Sequence, residues 1–134
     1  GYVANMQEAF DRYLDESAPG YVEREEPSLE EGIRRVNEAG GVSSLAHPIR
    51  LGKRDPEDEE ELIAEIAGMG LSAIEAFHSD HSPADAERYV RIAAKYGLRV
   101  TGGSDFHGDN KPSIRLGSGP GHLNISKKVL EALF

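Results

Sequence analysis

The sequence has no cysteine. That excludes disulfide bridges, thiolate zinc ribbons and thiol catalysis, and it is compatible with a reducing compartment. Positive charge is scarce: 15 Lys and Arg stand against 24 Asp and Glu, a formal net charge of −9, with no dense basic run. A general nucleic-acid binder needs a basic face, so duplex DNA is not an expected partner. A small anionic substrate is still admissible where a metal ion or a local arginine reverses the field. No apolar run approaches membrane-spanning length, and the start carries no signal-peptide pattern. The expectation is a cytoplasmic protein with no membrane partner. What is there is ordinary: 134 residues, 38% hydrophobic and 29% charged, enough for one domain with a modest core.

Val3, Met6, Phe10 and Tyr13/Leu14 fall at helical spacing, which predicts an amphipathic helix over 3–15 whose Met6, Phe and Tyr side chains are core. Residues 16–27 form a Pro/Gly/Glu-rich connection with Tyr21-Val22 as its anchor. From Ser28 a grammar repeats. Ser28 and Glu31 make an S-x-x-E capping box. Leu29, Ile33 and Val36 form the buried face of that helix, Gly40-Gly41 ends it, and Val42 to Ala46 reads as a strand closing on His47-Pro48. Asp55-Pro56 caps the second unit, whose helix buries Leu62, Ile63 and Ile66 and leads to a strand from Leu71 to Phe77. Its acidic start, Glu57 to Glu61, suits the helix dipole and reads as a solvated face. Ser82-Pro83 caps the third, with Tyr89, Val90, Ala93 and Tyr96 inward, Gly97 as the stop and a strand over Leu98–Thr101. A last helix capped by Ser126 carries Val129, Leu130, Leu133 and Phe134, after a turn-rich stretch in which Ile114 to Leu116 is a candidate short strand.

The caps at Ser28, Asp55 and Ser82 are 27 residues apart in each case. Helices alternating with strands at this spacing predict an α/β fold of parallel strands with helical crossovers. In such folds ligands collect at the C-terminal ends of the strands. Four of the five histidines sit there: His47, His78, His81 and His107, whereas His122 lies in an exposed Gly/Pro/Asn loop. After the last strand, Gly102-Gly103-Ser104-Asp105-Phe106-His107-Gly108 presents a carboxylate and an imidazole two residues apart, able to aim at one point. That pair makes half of a divalent-metal site. The plain alternative is a polar turn in which Asp105 caps and His107 is incidental. A few strands cannot close a barrel, so the chain reads as part of a larger barrel, or as a fragment whose edges the first and last helices cover.

Taken together, Gly40-Gly41-Val42-x-x-Leu45-Ala46-His47-Pro48-x-Arg50, then Ile74-Glu75 followed by His81-Ser82-Pro83, then Gly103-Ser104-Asp105-Phe106-His107-Gly108, resemble the PHP (polymerase and histidinol phosphatase) superfamily of metal-dependent phosphoesterases. The similar branch holds nucleoside 3′,5′-bisphosphate phosphatases and 5′-to-3′ exoribonucleases. The resemblance runs from about Met6 onward and implies the C-terminal part of a distorted (β/α)7 barrel. Residues 1–27 would then be a helix and linker from an inserted helical segment, and residues 28–134 the C-terminal βα units. It implies metal ligation by His47, Asp105 and His107 within a cluster of two or three Mn, Zn or Fe ions. It further implies a substrate phosphate on Arg50, whose planar fork suits that group. His81 matches a histidine of the same pocket, as phosphate contact or general acid, with a plain helix-entry residue as the alternative. His78 has no firm counterpart and ranks below it.

The expected substrate is a small phosphorylated molecule, a nucleotide or short RNA, hydrolysed at a phosphomonoester by a metal-assisted in-line attack of water. Glu75 is read either as a buried acid that orients a histidine or as a structural pairing. Lys111 and Arg115 reach a phosphate or are merely solvated. The H-x-H pair and other N-terminal ligands of the family have no counterpart here, so this chain alone is expected to bind metal weakly and turn over little. The other readings are a non-catalytic binding or structural module, and a separate chain that supplies the missing ligands.

Overall fold

The computed structural model describes residues 1–23, 25–53 and 55–133. In chain order it has α1 (Met6–Ala9) running into a π-helical turn (Phe10–Leu14), α2 (Leu29–Glu38), β1 (Ser44–Leu45) and a 3-10 turn (Pro48–Leu51). Then follow α3 (Pro56–Gly68), β2 (Ala73–His78), α4 (Pro83–Tyr96), β3 (Arg99–Gly103), a second 3-10 turn (Gly108–Asn110) and α5 (Lys127–Glu131). The strands form one parallel sheet in the order β1-β2-β3. Parallel neighbours need a crossover, which α3 and α4 supply. The predicted α/β alternation is therefore the observed architecture.

The caps act where the sequence puts them. The Asp55 carboxylate accepts the Glu57 N–H at 2.8 Å, with Pro56 opening the helix. The complete capping box, however, is at Ser82/Asp85: the Ser82 hydroxyl accepts the Asp85 N–H at 3.2 Å, and the Asp85 carboxylate accepts the Ser82 N–H at 3.0 Å. At Ser28 only half of the box forms, because the Glu31 carboxylate is taken by Arg34 and Arg35, each at 2.7 Å. Gly97 ends α4 with φ +67°, a left-handed conformation that glycine adopts without penalty.

The core lies between the sheet and its crossover helices. Ile63, Ile66, Tyr89, Ile92 and Ala93 pack with Leu71, Ile74, Ala76 and Leu98, and Ile33 joins from α2. Glu59 corrects the reading of the acidic run as a solvated face. It shares the α3 face of Ile63 at i, i+4 and is buried, accepting from the Tyr89 hydroxyl at 3.1 Å and pairing with Arg88. Its neighbour Glu60 pairs with Lys95 at 2.5 Å, whereas Glu57, Asp58 and Glu61 are exposed.

Periodicity overestimated burial elsewhere. Leu29, Val36 and Val90 are exposed although they fall on apolar stripes. Leu29 and Val36 line an open apolar groove of about 520 Å³ along β1. Met6, Phe10, Tyr13 and Leu14, expected as core, are exposed too, as are Tyr21 and Val22. No residue of α1 or the π-helical turn is buried; Phe10 and Leu14 meet the adjoining 20–22 stretch around an open pocket. The Ile114–Leu116 stretch forms no strand, only an isolated antiparallel bridge between Arg115 and Gly119. α5 begins at the Ser126 cap and leaves Leu130 exposed; Phe134, assigned to that helix, lies outside the described residues.

Ile63 is fully buried and Leu29 is 55% exposed. Ile63→Ala is expected to lower the unfolding free energy by about 2–5 kcal/mol, and Leu29→Ala to change it by about 0.5 kcal/mol or less. Urea midpoints of the two variants would check this.

Candidate functional site at the strand ends

All three strands point their C-terminal ends the same way, and each end delivers polar residues. Beyond β1 comes His47, at the end of β2 come His78 to His81, and beyond β3 come Ser104, Asp105 and His107. His47 (φ +33°) and Asp105 (φ +56°) are the non-glycine residues with left-handed backbone among the described residues. Such strain costs about 1–3 kcal/mol per residue and persists where the surroundings over-determine it. At His47 the determinant is visible: its N–H donates to the Glu75 carboxylate at 2.7 Å. Glu75 thus holds a histidine, through that residue's backbone.

β2 carries one extra residue. Its pairing with β3 jumps between Glu75 and Phe77, leaving Ala76 as a bulge. The Ala76 carbonyl accepts the His81 Nδ1–H at 2.8 Å. Opposite the bulge the sheet closes tightly on glycine. A Cβ on Gly102 would stand 2.9 Å from Phe77 Cβ and 3.1 Å from the Phe77 carbonyl.

A cavity of about 300 Å³ opens at this edge, lined among others by Arg50, His78, Asp80, Ser104, Asp105 and Lys111. The Arg50 guanidinium spans its two carboxylates, at 2.5 Å from Asp80 Oδ2 through Nη2 and 3.2 Å from Asp105 Oδ2 through Nη1. Lys111 Nζ reaches the same Asp105 oxygen at 2.5 Å. The Lys111 hydrogen bond and charge, with His107 and Arg50, bring the Asp105 carboxyl down to about 2. Arg50 likewise lowers Asp80. Below the cavity the Ser79 hydroxyl donates to the Ser104 carbonyl at 2.8 Å and ties the two loops together.

The histidines differ in the nitrogen they present. The Asp80 N–H donates to His78 Nδ1 at 3.0 Å, which puts the proton of neutral His78 on Nε2. His81 donates through Nδ1, so neutral His81 has a bare Nε2. Both Nε2 atoms are buried without a hydrogen-bond partner among the described residues. Burial pushes the His78 imidazolium down, toward the neutral ring. His107 donates Nδ1–H to the Asp105 carbonyl at 2.8 Å, leaving the Nε2 of a half-exposed side chain for a ligand. The rings form a row: His47 and His78 centroids are 5.8 Å apart, His78 and His81 5.3 Å, and His81 and Tyr89 4.8 Å.

The structure therefore brings Arg50 and Asp105 into one cavity, with His107 beside Asp105 and His47 one ring away from His78. His81 does not line that cavity; its ring lies between His78 and Tyr89. Among the described residues no group of three histidine, aspartate or glutamate side chains stands close enough to hold a metal ion. Arg115 and His122 are exposed loop residues. Asp80 and Lys111 are the partners that sequence reasoning missed or left open. Asp80 had one available signal, its position two residues beyond the strand-end His78.

Several proteins similar to this chain are named as enzymes that act on phosphate esters. It is 42% identical over 78 residues to the phosphoribosyl 1,2-cyclic phosphate 1,2-diphosphodiesterase of Eggerthella lenta, covering 58% of this chain and 28% of that protein. It is 35% identical over 109 residues to the 3′,5′-nucleoside bisphosphate phosphatase of Chromobacterium violaceum, covering 80% of this chain and 37% of that protein. It is 31% identical over 119 residues to the 5′-3′ exoribonuclease Rnm of Salmonella typhimurium, covering 87% of this chain and 39% of that protein. Among solved structures, a metal-dependent phosphoesterase from Bifidobacterium adolescentis matches at 33% identity and a TM-score of 0.62, over 95% of this chain and 43% of that one. A C. violaceum amidohydrolase with bound sulfate and no metal matches at 31% and 0.59, over 99% of this chain and 46% of that one. No protein-family model matches. The chain spans about 28–39% of the length of these curated relatives. These matches agree with the resemblance carried by the three motifs: the chain is similar to nucleoside bisphosphate phosphatases and 5′-3′ exoribonucleases, consistent with the PHP branch.

Because Lys111 is the main cause of the low Asp105 pKa, Lys111→Met should move that carboxyl back toward its ordinary value of 3.8. The sign follows from linkage: a depressed carboxyl stabilises the fold above its unfolded pKa, and that stability fades as pH falls toward 2. The variant should lose less stability across that acid window. Carboxyl ¹³C titration of Asp105, with melts at each pH, would check both statements.

Proposed function

We propose that this chain forms the C-terminal βα units of a metal-dependent phosphoesterase acting on a phosphorylated nucleotide or short RNA. The observation that carries the reading is the left-handed backbone at the two strand-end residues His47 and Asp105, with Arg50 held at the Asp105 carboxylate. Sequence similarity to proteins named for nucleotide and RNA substrates supports the substrate class. Sulfate bound without metal in the amidohydrolase neighbour supports a site for a phosphate-sized anion in this fold.

The donor chemistry fits divalent ions. Asp105 is ionised far below neutral pH, and His107 has a free Nε2. His47, Asp105 and His107 would each contribute to a site for Mn²⁺, Zn²⁺ or Fe²⁺ completed by ligands from outside this chain, since these ions suit imidazole and carboxylate donors. Such ions supply Lewis acidity at the phosphoryl group and a strong nucleophile from water near neutral pH. Arg50 binds the phosphate oxygens, its fork aimed by Asp80. His81 reaches phosphate or leaving group as a donor only when protonated, since its Nδ1–H is committed to Ala76.

The missing ligands would come from further βα units of a (β/α)7 barrel. The unpaired outer edge of β1 and the apolar groove beside it support that arrangement. Residues 1–27 are assigned to an inserted helical segment and residues 28–134 to the barrel. A cytoplasmic site of action goes with this reading; no helix among the described residues is long and apolar enough to cross a membrane.

The test is turnover. The chain alone, with Mn²⁺ or Zn²⁺ and a nucleoside 3′,5′-bisphosphate, should release little or no phosphate. Residues 28–134 grafted in place of the matching segment of the C. violaceum phosphatase should restore hydrolysis. A chelator should abolish that activity, and Asp105→Asn or Arg50→Met should each lower it by about 10²-fold or more. A folded graft whose turnover ignores these substitutions would end the assignment.

A further inference from the structure

His78 is the residue that neither the motif set nor the expected metal ligands account for, yet the fold invests most in placing it. It ends the central strand, is only 2% exposed, and lines the strand-end cavity. The Asp80 backbone N–H is a donor under all conditions, so the 3.0 Å contact forces Nδ1 to accept and Nε2 to carry the proton. That Nε2–H has no acceptor among the described residues. The nearest carboxylate oxygen, Asp105 Oδ2, is 3.9 Å away, too far for a hydrogen bond, and is already taken by Lys111 and Arg50. Buried donors are satisfied in folded proteins, so one left open at a polar cavity is set for an acceptor that arrives from outside.

We propose that His78 is a substrate-binding residue: its Nε2–H donates to a phosphate oxygen in the cavity flanked by Arg50 and Lys111. The inference deepens the phosphoesterase reading and rests on it for the identity of the anion. A phosphate is the acceptor that matches the surroundings, with several oxygens for one fixed neutral donor and the two cations Arg50 and Lys111. Fluoride-sized or halide ions would meet one of these groups at a time. The neutral donor adds selectivity that the cations lack, because it contributes direction without charge. His78 is thus distinct in task from His81, whose neutral ring presents a lone pair and can offer such an oxygen no proton.

The probe is inorganic phosphate, titrated into the metal-free chain while long-range ¹H–¹⁵N spectra follow the imidazoles. The His78 Nε2 proton should be visible before addition, shift saturably, and exchange more slowly with phosphate bound. Two variants separate binding from support. His78→Gln places an amide N–H near Nε2 and should keep phosphate affinity within about threefold. His78→Asn places an acceptor near Nδ1, preserving the bond from Asp80, and should weaken phosphate about tenfold.

A residue that serves only to receive the Asp80 N–H would give the reverse order. That reversal, an unmoved His78 resonance while phosphate saturates, or no saturable phosphate binding would each overturn the proposal. The wild-type spectrum decides even where a variant folds poorly. Metal and turnover play no part in this experiment, so its failure leaves the hydrolytic assignment to the grafted barrel.

Discussion

Parallel pairing of β2 with a strand on each side is the constraint from which the site follows. A parallel neighbour can be reached only by crossing over the sheet, so α3 and α4 are obligatory, and their apolar faces supply most of the core. The same pairing sends every strand toward one edge. His47, the His78–His81 turn and Asp105 are far apart in sequence and meet there for no reason of their own. Core and site are opposite consequences of one hydrogen-bonding pattern. The bulge at Ala76 shows how fine the coupling is: one extra residue in β2 frees the carbonyl that fixes the tautomer of His81.

Charge at this edge is balanced locally and held under tension. Arg50 and Lys111 converge on Asp105, and Asp80 takes the rest of the Arg50 fork. These pairs are partly solvated, so they contribute little to stability by themselves. What they do is position. Asp80 aims a guanidinium across the cavity, and Lys111 holds the Asp105 carboxyl down to about 2.

The repeating frame was legible because its signals are local. A cap, a proline and an apolar stripe act within one turn of helix, and the 27-residue spacing exposed the alternation without any contact map. Burial was less legible, because it depends on what lies opposite. Val36 and Leu29 obey the same stripe as Ile33, but only Ile33 has a neighbour over it. Glu59 was hidden inside an acidic run; nothing in its own sequence shows that Tyr89 and Arg88, some thirty residues on, close over it. The motif residues at the site were readable as types and positions. Their tasks were not, since the difference between His78 and His81 lies in which backbone group each first nitrogen meets.

That difference also bears on the choice between a hydrolase fragment and a non-catalytic remnant kept for partner contact. A remnant would be kept for an exposed surface, and the chain has one, the apolar groove along α2 and β1. Yet the costly features lie elsewhere. Left-handed backbone at His47 and Asp105, and buried unpaired nitrogens at His78 and His81, involve no residue that lines the groove. Each of these costs stability and adds nothing to partner binding at that surface. Together they fit the proposal that the strand ends receive ions: ligands for the bare nitrogens and carboxylate, and an acceptor for the one fixed proton. On that proposal the groove needs no separate function, because further strands of the proposed barrel would cover it and bring those ligands in.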